Sequence, residues 1–214
     1  FVATPSGITK RTHSVKFYML PGACSIVGNV ALEWAGAEFE LVKLDFAATK
    51  APEFLAKNPQ GSVPLLEDGD FTLSQNTAIL QYIADQYPQA HLFGKGNAQQ
   101  QAKAHQWLGM INADIHSKFS ILFGPQRFAE TEAAQTEVVA AAKKLLQGLF
   151  SAIDTHLNGR EYLTDELTIA DVYLLVVLNW AAYKEVDLSA CKNLQALHAR
   201  VAANAVVAKV LAQQ

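Results

Sequence analysis

Cys24 is the residue of this sequence whose position most favours chemistry. It stands between the turn dipeptide Pro21-Gly22 and a segment whose apolar residues recur at helical spacing. At the first turn of a helix, unpaired backbone N–H groups and the positive end of the helix dipole stabilise a thiolate. The position therefore predicts a pKa for Cys24 below the free-cysteine value of about 8.5. The alternative is a small buried hydrophobic residue, which is also the better interpretation of Cys191.

A second candidate is the proline that opens a later apolar run, in the sequence SVPLLEDGDFTLS from Ser62 to Ser74. A proline at the first residue of a strand is a common feature of sheet edges. If the bond between Val63 and Pro64 is cis, the N–H and C=O of Val63 turn outward and can bind an extended peptide. The residues alone leave both interpretations open.

The third candidate is the start of the next helix, which reads SQNTAI from Ser74 to Ile79. Serine, glutamine and asparagine at this position can be simple capping residues. A helix N-terminus also binds carboxylates, and Asn76 would add a side-chain donor. The amide of Gln75 can face either an amine or a carboxylate.

The elements that must position these residues alternate in the order β-α-β-α-β-β-α. In this N-terminal half, strands are predicted over residues 16–20 and 38–46 and in the hairpin 63–74, which has Asp68-Gly69 at its turn. Helices are predicted over residues 26–35, 51–58 and 75–87. Gly36 is predicted to end the first helix in a left-handed conformation. After a linker over residues 88–97, helical patterns replace strands, at 98–122, 131–156, 168–183 and in two shorter segments after Leu188.

Composition excludes several classes of function. Half of the 214 residues are apolar, so the chain can bury a sizeable core. With 17 basic and 20 acidic side chains the net charge is −3, which argues against nucleic acid as a partner. The most apolar stretch, residues 169–183, contains Asp171 and Asn179 and is too short to cross a bilayer of roughly 30 Å. It predicts a buried helix, capped by Thr168 and Asp171, and gives no indication of a membrane.

Two further features concern the setting of the protein. Two cysteines in a chain of this size give no disulfide framework, so a reducing compartment, the cytoplasm, is expected. Residues 1–14 show neither helical nor strand periodicity nor a sustained apolar core. We interpret them as a leader or an added extension and exclude them from the fold.

Taken in order, three motifs resemble the cytosolic glutathione transferases. They are YMLPGACS, NPQGSVPLLEDGDFTLSQNTAILQYIAD and LTIADVYL, and the cysteine of PGACS is typical of the bacterial beta-class branch. The resemblance implies a thioredoxin-like N-terminal domain (15–88), a helical-bundle C-terminal domain (98–214) and a homodimer. Glutathione would be the co-substrate, with no other cofactor and no metal.

The resemblance also implies roles for individual residues. Cys24 matches the cysteine beside the glutathione sulfur, and His116 matches the histidine that reaches that sulfur from the second domain. The matched glutathione-binding residues are Val63, cis-Pro64, Gln75, Asn76 and, with a one-residue shift, Lys50. The chain departs from the family where Gln75 replaces a common glutamate, Ser117 a lysine and Gly109 an asparagine.

Three functions follow from this comparison of residues. The leading hypothesis is conjugation of the glutathione thiolate to small hydrophobic electrophiles. The second is exchange of glutathione mixed disulfides through Cys24, for which a monothiol site is suited. The third is a non-catalytic protein that binds glutathione or a hydrophobic ligand, an alternative suggested by the missing carboxylate at Gln75.

Overall fold

The computed structural model describes residues 14–214, so all but the last residue of the proposed leader (1–14) lie outside the described part. The first half contains a four-stranded sheet in the order β2-β1-β3-β4. Its strands are β1 (Val15–Met19), β2 (Phe39–Lys43), β3 (Leu65–Asp68) and β4 (Phe71–Ser74). β1 pairs in parallel with β2 and antiparallel with β3, which in turn pairs antiparallel with β4. Gly69 has a φ of 62° in the turn between β3 and β4, which confirms the predicted hairpin.

Three helices complete this half and confirm the predicted order of elements: α1 (Ile26–Trp34), α2 (Pro52–Leu55) and α3 (Asn76–Gln86). α1 packs closely on the sheet, because a Cβ atom added to Gly28 would lie 2.5 Å from the ring of Phe17. Gly36 follows α1 with a φ of 64°, as predicted.

α2 is shorter than predicted, ending at Leu55 rather than at Asn58. Asn58 is buried, and its side-chain amide donates a hydrogen bond of 2.8 Å to the carbonyl of Ser62. An asparagine side chain that bonds nearby backbone favours a turn over continued helix. This turn carries the chain into Val63 and Pro64, and the peptide bond between those two residues is cis, as predicted.

The second half is helical throughout its regular structure. Its helices are α4 (Ala98–Met110), α5 (Ser117–Phe123), α6 (Glu132–His156), α7 (Ile169–Tyr183), α8 (Lys192–Ala202) and α9 (Ala205–Leu211). The helix predicted over residues 98–122 is observed as α4 and α5, joined without a break by the π-helical segment Ile111–His116. Among residues 14–214, none of the helices combines the length and the apolar character needed to span a membrane.

α7 forms the centre of the core, and its N-terminus is capped as predicted. Asp171 is fully buried and accepts hydrogen bonds of 2.8 Å from the backbone N–H groups of Leu163 and Thr168. The hydroxyl of Thr168 donates a third, of 3.0 Å. Asp171 thus joins the preceding loop to the first turn of the buried helix and is structural.

Candidate active site

Cys24 lies in a tight turn that connects β1 to α1. The hydroxyl of Ser25 holds this turn, accepting a hydrogen bond from the N–H of Leu20 at 3.1 Å and donating to the same residue's carbonyl at 3.2 Å. The thiol of Cys24 donates a hydrogen bond to the carbonyl oxygen of Val63, 3.8 Å from the sulfur, and Cys24 is only 8% exposed. The structure therefore brings together two of the predicted site residues, Cys24 and Val63.

The prediction that Cys24 has a lowered pKa is wrong in this structure. Burial raises the pKa of the Cys24 thiol to about 12, because the protein interior disfavours the thiolate. The nearby backbone N–H groups of Cys24 and Ser25 and the nearby Tyr173 side chain act in the opposite direction but are weaker. α1 begins only at Ile26, so Cys24 precedes the helix cap rather than occupying the first helical turn. At neutral pH the thiol is protonated.

The loop before β3 presents an unpaired backbone N–H group. Among residues 14–214, no group accepts a hydrogen bond from the N–H of Val63, and the side chain of Val63 packs on Tyr18, Phe54 and Leu65. Lys50 stabilises the same loop, since its ammonium donates a hydrogen bond of 2.6 Å to the carbonyl of Gly61. Lys50 is therefore attached to the loop that leads into Val63.

Gln75 and Asn76 stand at the start of α3, where the structure separates their roles. Gln75 has a φ of 75°, a conformation that costs energy in a residue other than glycine and is typical of functional sites. Its side chain is exposed, and its amide nitrogen is 3.3 Å from the side-chain oxygen of Gln60.

The expectation that the side chain of Asn76 faces a ligand is wrong in this structure. Asn76 is 5% exposed, and its amide donates a hydrogen bond of 3.1 Å to the carbonyl of Cys24. Its Oδ1 atom is buried without a hydrogen-bond partner among the described residues. Asn76 therefore fixes the Cys24 turn from behind, and only the backbone of this helix start is left to bind an anion.

His116 ends the π-helical segment and reaches the same region from the second half of the chain. Its Nδ1 atom is 2.7 Å from the hydroxyl oxygen of Tyr173, and its ring packs edge-on against Trp180 with 4.9 Å between ring centroids. Burial lowers the pKa of His116 below its ordinary value, so the imidazole is neutral at pH 7. Tyr173 also influences the pKa of the Cys24 thiol, so its hydroxyl lies near both predicted catalytic residues.

Tyr173 was not singled out from the sequence. It lies within the apolar run of α7, where an aromatic residue is expected to be core packing, and it is indeed fully buried. The one available signal was its hydroxyl, because a buried tyrosine O–H usually has a hydrogen-bond partner.

Three aromatic side chains, those of Trp180, Phe123 and Tyr183, extend from His116 toward solvent. Trp180 bonds the Cys24 turn through its indole N–H, which donates to the carbonyl of Gly22 at 2.7 Å. The ring of Phe123 lies 5.7 Å from that of Trp180 and stacks on Tyr183 at 6.3 Å. Phe123 and Tyr183 are 45% and 76% exposed, so they form an apolar surface open to solvent next to the site.

Cys191 is the second cysteine of the sequence. Cys191 is buried and lies before α8, where burial raises the pKa of its thiol, in keeping with a packing role. Within residues 14–214, no group of three or more histidine, cysteine, aspartate or glutamate side chains is arranged to hold a metal ion.

Comparison with known proteins assigns the family. Residues 13–85 match the family described as "Glutathione S-transferase, N-terminal domain", and residues 110–205 match "Glutathione S-transferase, C-terminal domain". The chain therefore belongs to the glutathione S-transferase family. It is a glutathione-dependent transferase with a thioredoxin-like N-terminal domain and a helical C-terminal domain.

Individual relatives agree over nearly the whole chain. Glutathione S-transferase GST-4.5 of Xanthomonas campestris pv. campestris is 40% identical over 198 residues, which are 92% of this chain and 97% of that protein. The structure of the glutathione S-transferase from Xylella fastidiosa has a TM-score of 0.88 at 36% identity, covering 93% of this chain and 98% of the other. The bacterial beta-class glutathione S-transferase of Sphingomonas chungbukensis has a TM-score of 0.81 at 34% identity, covering 92% and 98%. The resemblance to the beta class is thereby confirmed.

Proposed function

We propose that glutathione binds along the loop before β3 and the start of α3, with its sulfur between Cys24 and His116. The observation that carries this proposal is the convergence of three separate elements on one point. The Cys24 sulfur lies 3.8 Å from the Val63 carbonyl oxygen. Trp180 contacts both the Cys24 turn, through its N–H bond to the Gly22 carbonyl, and the ring of His116. The reaction is conjugation, in which the glutathione thiolate attacks an electrophilic carbon of a small hydrophobic molecule, forms a carbon–sulfur bond and displaces the leaving group.

The peptide backbone of glutathione has a matching partner in Val63. The free N–H and the carbonyl of Val63 are suited to pair with the cysteinyl residue of an extended tripeptide, as in strand addition. The γ-glutamyl end would lie at Gln75 and at the backbone N–H groups that begin α3. An amide at position 75 offers a neutral hydrogen bond where glutamate would offer a charged one, so this anchor is the weaker type.

The two predicted catalytic residues take different roles from those expected of a thiolate site. When glutathione binds, the protonated thiol of Cys24 turns from the Val63 carbonyl, to which it donates in this structure, and donates a hydrogen bond to the glutathione sulfur. His116, neutral at pH 7, accepts the proton that glutathione loses. The glutathione thiolate, and not that of Cys24, is then the nucleophile.

The electrophile would bind on the aromatic surface formed by Phe123, Trp180 and Tyr183. This surface adjoins His116 directly through Trp180, and its exposed rings suit a flat apolar molecule. The ammonium of Lys184 lies 4.6 Å from the centre of the Phe123 ring and adds a positive charge at the outer edge.

Further parts of the proposal follow the family. The glutathione-binding domain spans residues 15–88 and the helical domain residues 98–214. The protein acts as a homodimer in the cytoplasm, a compartment consistent with two cysteines that are both free. Glutathione is a co-substrate, and no other cofactor is needed.

Two substitutions of Cys24 test whether the cysteine is a donor or a nucleophile. Cys24→Ser retains an O–H donor, so conjugation to an aromatic electrophile is expected to fall by about tenfold or less. Cys24→Ala removes the donor and is expected to lower kcat by a further factor of about ten. Glutathione conjugation is measured by absorbance and exchange with a glutathione mixed disulfide by thiol release.

The outcomes separate the two activities. Exchange through Cys24 requires its sulfur and should be absent from both variants. Equal and complete loss of conjugation in Cys24→Ser and Cys24→Ala, with normal folding, would contradict the donor role and favour Cys24 as the nucleophile. Glutathione binding without turnover of any electrophile by the unmodified protein would favour the non-catalytic alternative.

A further inference from the structure

The buried hydroxyl of Tyr173 contacts the side chains of both His116 and Asn112. Its oxygen lies 2.7 Å from Nδ1 of His116 and 3.0 Å from Oδ1 of Asn112, to which it donates its hydrogen. Asn112 and His116 are four residues apart in the π-helical segment and so present their side chains to α7 together. Segments of π-helix are frequent at functional sites.

The hydrogen bonds of Tyr173 determine which ring nitrogen of His116 carries a hydrogen. A tyrosine hydroxyl has one hydrogen to donate, and here the acceptor is Oδ1 of Asn112. The short contact between Tyr173 and His116 can then be a hydrogen bond only if Nδ1 of His116 carries the hydrogen. A neutral imidazole has one N–H, so Nε2 is left with a lone pair.

The free nitrogen is available to a ligand. Among residues 14–214, Nε2 of His116 has no hydrogen-bond partner, and the side chain of His116 is partly exposed. Its Nδ1 side, by contrast, faces the fully buried Tyr173. The two nitrogens therefore differ in their surroundings as well as in protonation.

We propose that Asn112 and Tyr173 are positioning residues that hold His116 in the tautomer protonated at Nδ1, so that Nε2 accepts the thiol proton of glutathione. The inference deepens the proposed function and rests on it for the identity of the proton donor. When the S–H bond of glutathione breaks, its electron pair stays on sulfur and the proton forms an N–H bond at Nε2. The resulting imidazolium keeps its Nδ1–H bond to Tyr173 and later releases the Nε2 proton to water.

Asn112 is the residue that sets the direction of this chain of hydrogen bonds. If its amide were reversed, Nδ2 would donate to Tyr173, the tyrosine would donate to Nδ1, and His116 would carry its hydrogen on Nε2. That tautomer could not accept a proton from the thiol. In Asn112→Asp the carboxylate can only accept a hydrogen bond from Tyr173, whereas the leucine of Asn112→Leu can neither accept nor donate one.

The test is long-range proton–nitrogen NMR of the protein labelled with ¹⁵N-histidine, at a pH where His116 is neutral. The spectrum of His116→Gln identifies the His116 signals. We expect the unmodified protein and Asn112→Asp to show a protonated Nδ1 and an unprotonated Nε2. Tyr173→Phe and Asn112→Leu should shift His116 toward the Nε2–H tautomer and lower kcat by about tenfold, leaving the KM for glutathione within about twofold.

Different failures have different meanings. A protonated Nε2 in the unmodified protein would overturn this inference even if His116→Gln were inactive. Full activity of His116→Gln would overturn the role of His116 in the proposed function, whatever its tautomer. Should Tyr173→Phe fail to fold, the comparison of Asn112→Asp with Asn112→Leu decides the question, and identical tautomers in those two variants would overturn the inference.

Discussion

Cys24 is expected to react with iodoacetamide about a hundredfold or more slowly than a free cysteine near pH 8, because little of its thiol is ionised. Its pKa of about 12 results from burial, which outweighs the hydrogen bonds around the sulfur. Since the thiolate is the reactive form, the rate should keep rising with pH through the range in which a free cysteine has already levelled off. The measurement is the alkylation rate against pH, followed by mass spectrometry.

Two variants make this measurement specific. Cys191→Ala removes the other thiol, and Cys24→Ser in the same background should show no alkylation. A midpoint at or below about 8.5 would contradict the account and restore the thiolate predicted from sequence. It would also transfer the leading role from His116 to Cys24.

Asp171→Ala is expected to lower the free energy of unfolding by about 3 kcal/mol or more, the largest stability effect we predict. Asp171 accepts three hydrogen bonds in the interior, from the backbone N–H groups of Leu163 and Thr168 and from the Thr168 hydroxyl. Alanine would leave these donors buried without an acceptor, at about 1–3 kcal/mol for each. Urea unfolding at a fixed protein concentration measures the loss.

Asp171→Asn is the matched control, since it retains one oxygen acceptor at nearly the same volume. Its loss of stability should be smaller than that of the alanine variant. Both variants should bind glutathione with unchanged affinity in their folded fraction, because the partners of Asp171 are Leu163 and Thr168 and none of the site residues. Weakened binding at full stability would show that Asp171 acts in the site itself.

Local patterns were sufficient to predict most of the fold. The hairpin at Asp68-Gly69, the left-handed Gly36 and the cap at Thr168 depend on residues close together in sequence, and each is found where predicted. α2 was predicted three residues too long, since the hydrogen bond between Asn58 and Ser62 closes a turn that helical periodicity does not reveal.

The electrostatics of the site depended on contacts distant in sequence. The helix that follows Cys24 is visible in the local sequence, and it alone predicts a lowered pKa. The burial that raises the pKa comes from residues distant in sequence, such as Val63 and Tyr173. The prediction that the Asn76 side chain faces a ligand was wrong for the same reason. Its amide donates a hydrogen bond to the carbonyl of Cys24, a residue distant in sequence. Nothing in the sequence favoured the selection of Tyr173, because almost all other residues of α7 are apolar and belong to the core.

A structure of the protein with glutathione bound decides how the site is used. We expect the tripeptide to pair with the backbone of Val63 and its sulfur to lie within hydrogen-bond distance of both the Cys24 sulfur and Nε2 of His116, without a covalent bond to Cys24. A mixed disulfide with Cys24, or glutathione bound elsewhere, would contradict this expectation. The cavity of about 380 Å³ beside Trp107, His156 and Arg160 is one such alternative location.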